Sequence, residues 1–162
     1  MDGDASVASG ALPNAARSGA TLTLPAGATV QRAQLYWAAK RLGNMADDSV
    51  VLAVGGTTET VTAQDSATAD AGGGNVYYQS TAEVTEFVTA QGAALYTVTD
   101  IDAVPVLLST DDILFSNWTL VVTFSDPAGR GTGSTCSTDS TSSVLPNYSP
   151  PRWTSLRRPA LR

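Results

Sequence analysis

Apolar and polar residues alternate along several short runs of this chain. The clearest is Trp118-Thr119-Leu120-Val121-Val122-Thr123-Phe124, where Trp118, Leu120, Val122 and Phe124 share one face and Ser125-Asp126-Pro127 ends the run. Period two marks a strand with one buried side. Ala33, Leu35 and Trp37 repeat the pattern against Gln34 and Tyr36, and just upstream Leu22 and Leu24 alternate with Thr21 and Thr23. Between these runs Pro25 supplies the φ of a turn and Gly27 the fourth position of a type I turn. Residues 21 to 37 are therefore predicted as two strands folded back on one another, with Trp37 as a core anchor.

Further along, Val50, Leu52 and Val54 share a face, Gly55-Gly56 closes the run, and residues 57 to 63 return as the second arm of a hairpin. Residues 40 to 49, with Gly43-Asn44 and Asp47-Asp48, read as a loop, as do residues 65 to 75, rich in Ala, Asp and Gly. Val76 to Gln79 is a short strand leading into a helix. Ser80-Thr81-Ala82-Glu83 has the spacing of a capping box, Val84, Phe87 and Val88 form one apolar stripe, and Gly92 stands where a helix C-cap belongs. Residues 95 to 101 alternate as a strand, and Val104 to Leu108 reads as an edge strand or a buried loop. Residues 1 to 19 read as an edge strand or an extended lead-in. Several strands, one short helix and no alternation of strand with helix predict an all-β, antiparallel β-sandwich, jelly-roll-like in kind.

Composition sharpens this picture. At 162 residues the chain has room for one core. Only 15% of residues are charged, and Thr, Ser, Ala, Val and Gly dominate, which suits strands and turns and resembles a secreted surface domain. Residues 1 to 129 carry four basic residues against 14 acidic ones, a net −10, whereas residues 130 to 162 carry five arginines against Asp139, a net +4. An acidic body argues against nucleic acid as a partner, because phosphate needs a basic face. Histidine is absent and Cys136 is the single cysteine, so the usual imidazole base, the Ser-His-Asp and Cys-His constellations and ordinary zinc sites have no residues to form from. The chain is read as non-enzymatic. No apolar run reaches the roughly 20 residues of a membrane-spanning helix. No signal peptide precedes Met1-Asp2-Gly3-Asp4, and one is expected to have been lost from the start.

Two sets of residues carry candidate chemistry. Asp2 and Asp4, Asp47 and Asp48, Asp100 and Asp102, and Asp111 and Asp112 offer hard oxygen ligands for calcium, with Asp2, Asp4, Asp100 and Asp102 the leading candidates, though without the spacing of an EF-hand; the alternative is turn residues and surface charge. No other cofactor is implied. Tyr36, Tyr77, Tyr78 and Tyr96 lie on predicted strands beside polar residues and are candidates for a platform that stacks on sugar rings, the alternative being cross-strand packing.

Five blocks fall in order along residues 1 to 129. They are Met1-Asp2-Gly3-Asp4; Leu24-Pro25-Ala26-Gly27-Ala28-Thr29-Val30 with Ala33-Gln34-Leu35-Tyr36-Trp37; Ala82-Glu83-Val84-Thr85 with Val88; Tyr96-Thr97-Val98; and Trp118-Thr119-Leu120-Val121-Val122 with Ser125-Asp126-Pro127. In these blocks the chain resembles a β-rich N-terminal domain of large secreted or cell-wall-associated bacterial repeat proteins. The resemblance implies an extracellular or cell-wall location and a non-catalytic structural or adhesive role, with polysaccharide or surface proteins as partners. A carbohydrate- or calcium-binding β-sandwich module is the alternative.

The resemblance covers residues 1–129, read as the sandwich domain, and stops at Gly129, where the family continues into a further strand. Residues 130–162 are low in complexity and read as a disordered or frame-shifted tail. In a frame that starts at each codon's third base, Ser134, Cys136 and Ser137 can become large apolar residues and Asp139 can become Gly, a pattern that fits that strand. The expectation is a sheet with one strand slot left open.

Overall fold

The computed structural model describes residues 17–104, 114–126 and 132–143. In chain order these residues form β1 (Arg17–Thr21), β2 (Thr29–Leu42), β3 (Ser49–Val54), β4 (Thr57–Thr62), β5 (Asp65–Gly72), β6 (Asn75–Glu83), α1 (Thr85–Gln91), β7 (Leu95–Thr99), β8 (Leu114–Ser125) and β9 (Thr132–Ser143). One sheet has four strands in the order β1-β7-β3-β4, and the other has five in the order β5-β6-β2-β8-β9. Every pairing is antiparallel. The molecule is an all-β sandwich with one short helix, as the alternation predicts. Its core is built from the inward rows of both sheets: Ala33, Leu35, Trp37 and Ala39 of β2 and Trp118, Leu120 and Val122 of β8 join Val50 and Leu52 of β3 and Tyr96 and Val98 of β7. Burying such side chains stabilises by about 1.5–3 kcal/mol each.

The predicted opening hairpin is instead a crossing between sheets. β1 pairs with β7 in the four-stranded sheet, while β2 is the centre of the five-stranded one. Ala28 N–H donates to the Pro25 carbonyl at 3.0 Å, so the turn runs from Pro25 to Ala28. Gly27 then falls at its third position with φ +76°, which a type II turn requires, rather than at the fourth position of a type I turn. Leu22 is buried in this connection and its N–H donates to the Ala94 carbonyl. The alternation of Leu22 and Leu24 thus anchors a corner, because a chain leaving one sheet for the other must fill the space between them. The true hairpins join β3 to β4, β5 to β6 and β8 to β9.

Three other expectations change. Ser80 to Glu83 belongs to β6, so the capping box does not form; α1 starts at Thr85 with Val84 as N-cap and no side-chain cap. β6 pairs with β2 on one side and β5 on the other, and a two-sided ladder engages more backbone groups than one cap would. The predicted C-cap holds: Gly92 has φ +65° and donates to the Val88 carbonyl. Residues 65 to 72, predicted as a loop, are the edge strand β5. It is exposed along almost its whole length, so it has no buried row and no apolar period to reveal it. Lys40, expected in a loop, lies in β2 and is 4% exposed.

The tail expected to be disordered is a strand between Thr132 and Ser143. β9 pairs with β8 from Ser125↔Thr132 to Leu114↔Ser143 and occupies the slot expected to be open. The edge of β8 recruits by its backbone groups, and a Thr- and Ser-rich segment supplies those as well as an apolar one does. Residues 1–16, 105–113, 127–131 and 144–162, with Asp2, Asp4, Asp111, Asp112 and the predicted Val104–Leu108 piece beyond its first residue, lie outside the described residues.

Candidate functional site

β2 alternates from Ala33 to Ala39, and the pairing of Lys40 with Tyr77 continues the row, so Gln34, Tyr36, Ala38 and Lys40 line up on the face opposite the core. The flanking strands continue that face in cross-strand rows. Ala38 pairs with Gln79 of β6 and Asn117 of β8, and Tyr36 pairs with Thr81 and Thr119. Lys40 pairs with Tyr77. Ala38 is the smallest residue among these, and it leaves a notch between two amide side chains. Tyr36, Trp37, Ala38, Gln79, Asn117 and Thr119 line a half-open depression of about 160 Å³.

The row beyond one end of the notch carries aromatic rings. Tyr77 and Phe115 stack with centroids 5.8 Å apart at an interplanar angle of 24°, and Lys40 Nζ lies 5.8 Å from the Tyr77 ring centroid. A cation against a ring face is attracted by the ring quadrupole, which together with its buried stem explains how a lysine is sheltered on an outer face. At the other end the polar groups satisfy one another. Gln34 Nε2 donates to Thr81 Oγ1 at 2.9 Å, Thr81 Oγ1 donates to the Leu35 carbonyl at 3.1 Å, and Arg32 reaches both Gln34 and Glu83. Around Ala38 the situation differs: among the described residues, no hydrogen bond engages the side chains of Tyr36, Gln79 or Asn117. The ladder holds these donors and acceptors in place and leaves them facing solvent.

The four candidate tyrosines divide between the two faces. Tyr36 and Tyr77 are half-buried on the outer face. Tyr78 and Tyr96 are core residues, 3% and 0% exposed, and cannot stack on a sugar. Tyr78 donates to the Asp102 carbonyl at 2.9 Å and approaches Asp47 Oδ2 at 3.4 Å; burial, then the Asp47 carboxylate beside it, pushes its pKa far up. Tyr96 donates to the Gly92 carbonyl at 2.8 Å and meets Phe87 edge-on, and burial pushes its pKa up to about 12. Tyr77 and Tyr78 are adjacent in one strand, and period two sends neighbours to opposite faces.

Of the acidic candidates, Asp102 serves the fold. Asp102 pairs with Arg41 at 2.7 Å, so its carboxylate already faces a guanidinium, and Asp100 is exposed at φ +65° in the turn after β7. Among the described residues no three His, Cys, Asp or Glu side chains gather as a metal site. Asp47, paired with Asp48 in the sequence as a loop signal and a calcium candidate, is instead a buried acid. Its Oδ2 accepts the Asp102 N–H at 2.9 Å and its carbonyl accepts Ser80 Oγ at 2.6 Å. Burial raises its pKa, opposed by the Asp102 and Ser49 amides.

Sequence reasoning found Tyr36 and Tyr77 but missed Ala38, Gln79, Asn117 and Thr119. The signal was present: Gln79 follows buried Tyr78, and Asn117 precedes buried Trp118, so both must face outward. What no local pattern carried is that β6 and β8 flank the same stretch of β2. No family model, curated protein or solved structure matches this chain.

Proposed function

We propose that this chain is a non-catalytic structural or adhesive module of a bacterial surface protein, acting outside the cell, and that its contact surface is the outer face of the five-stranded sheet. The observation that carries the reading is the contrast between the two sides of that sheet. On the inner side the buried polar groups tie one segment to another: Asp47 holds the segments around Ser80 and Asp102, and Trp118 holds Ser18. On the outer side Tyr36, Gln79 and Asn117 are ordered by the ladder without side-chain hydrogen bonds among the described residues. Ordered, uncommitted polar groups beside aromatic rings are what a recognition surface requires. The resemblance to secreted and wall-associated repeat proteins supports the same location and role.

Adsorption to purified bacterial cell-wall material, and to films of surface glycoprotein, tests this. The expected result is saturable adsorption that falls when Asn117 and Gln79 are both replaced by Ala. A chain that stays in solution over every such surface would sink the adhesive reading.

A further inference from the structure

We infer that the Ala38 notch is a subsite for a single neutral pyranose ring of a polysaccharide. This rests on the adhesive reading above and names the ligand of its contact surface. The size of the notch comes first. Neighbouring strands lie about 4.8 Å apart, so the backbones carrying Gln79 and Asn117 stand roughly 10 Å apart across Ala38. Rows on one face repeat every ~6.7 Å, which puts the Tyr36 row and the Tyr77 row roughly 13 Å apart with Ala38 midway. The volume, about 160 Å³, falls below the ~300–1,000 Å³ of pockets that enclose a free drug-sized ligand. A shallow, half-open depression of this size suits one ring of a longer chain that continues past it at both ends.

The chemistry of the lining selects the ring. Gln79 and Asn117 each present two N–H donors and a carbonyl acceptor, and Tyr36 presents a hydroxyl group. Sugar hydroxyls both donate and accept, so paired amides on opposite walls can each take vicinal hydroxyls. Tyr36 supplies an aromatic surface at the end of the notch for the apolar face of the ring. None of the six lining residues is charged, and the body around them is acidic, which disfavours a polyanion. A peptide strand would need an open sheet edge for its backbone, whereas this is a face, with β6 and β8 already paired on both sides of β2. A second copy of the chain would need a contact near 800 Å² per partner for a stable dimer, far beyond what this notch presents.

Affinity electrophoresis through gels containing xyloglucan, galactomannan, mixed-linkage β-glucan, dextran or polygalacturonate tests the inference, with chain self-association followed by sedimentation. The expected result is retardation by at least one neutral polysaccharide, with Ala38→Phe and Asn117→Ala each weakening it by about tenfold or more, the loss expected of a filled cavity or of ligand hydroxyls left without a partner. Ala38 points away from the core, so Ala38→Phe should melt near the wild type. Should it misfold, Asn117→Ala and Gln79→Ala carry the test alone. Retardation untouched by these variants puts the ring elsewhere and overturns the notch, as does preference for polygalacturonate. Dimerisation abolished by Ala38→Phe, without sugar binding, also overturns it. No retardation in any gel, with cell-wall adsorption intact, overturns the notch and leaves the adhesive reading standing; loss of both removes both.

Discussion

Trp37 and Trp118 are cross-strand partners on β2 and β8, both turned into the core, and they differ in one atom's fate. The Trp118 indole N–H donates to Ser18 Oγ at 2.7 Å and so ties the five-stranded sheet to β1 of the other, whereas Trp37 Nε1 meets no acceptor among the described residues. Trp37→Ala should cost about 3–5 kcal/mol for the cavity it opens. Ser18→Ala should cost about 1–3 kcal/mol, because it strands the Trp118 donor. Trp37→Phe should cost less than Trp118→Phe, since only the second removes a hydrogen bond that is made. Denaturant unfolding of the four variants checks the order; a Trp37→Phe cost above that of Trp118→Phe would show the inter-sheet bond to be idle.

Asp47 should make stability fall with rising pH over an acidic window. Its folded pKa lies above the ordinary 3.8 because burial penalises the charged form. Below 3.8 the group is neutral whether the chain is folded or not. Between 3.8 and the raised folded value the unfolded chain releases the proton and the folded chain keeps it, so the contribution is lost as pH rises through that interval. Unfolding of wild type and Asp47→Asn from pH 3 upward measures it, and the difference should shift against the wild type as pH rises, then level off. A difference that is flat, or that moves the other way, would contradict the burial of this carboxyl.

Tyr96 should limit stability at high pH. Its hydroxyl is held neutral up to about 12, against the ordinary 10.0, so its stabilising contribution is present below 10.0 and is lost as pH rises from there toward 12. Tyr78, pushed up still further, should titrate only as the chain opens. Alkaline titration followed by tyrosinate absorbance should show these two ionising together with loss of near-ultraviolet circular dichroism. Tyr96→Phe should lose about 1 kcal/mol at neutral pH with the bond to Gly92, and should narrow its deficit against the wild type above pH 10.

The β3–β4 hairpin predicts opposite outcomes at adjacent glycines. Gly55 has φ +58° and Gly56 has no positive φ, the arrangement of a type II′ turn, with the left-handed residue first. Neither position has an atom within 4 Å of an added Cβ, so backbone conformation alone decides. Gly55→Ala should cost roughly 1–2 kcal/mol. Gly56→Ala should be neutral or stabilise by up to about 1 kcal/mol through the unfolded chain. Thermal melts of the two variants separate them, and equal losses would rule out that turn geometry.

What residues along the chain determined was the strand content with one buried face, and the anchors of the core. β2, β3 and β8 alternate because one side of each is buried, so Trp37, Leu52, Trp118 and Leu120 announce themselves, and Gly55-Gly56 announces the turn between β3 and β4. Period two also held an unused answer, since adjacent Tyr77 and Tyr78 had to face opposite ways. Only the tertiary structure decided which strands pair. Thr21 and Thr29 flank a turn that looks like a hairpin and is a passage between sheets, because the partner of β1 is β7, more than 70 residues away. β5 and β9 have backbone ladders but no apolar rows, and a ladder bond leaves no mark on side-chain identity. The notch has the same origin: Gln79, Ala38 and Asn117 lie far apart in the chain and share one row only through the register of β6 and β8 on β2, which long-range pairing sets and local sequence does not encode.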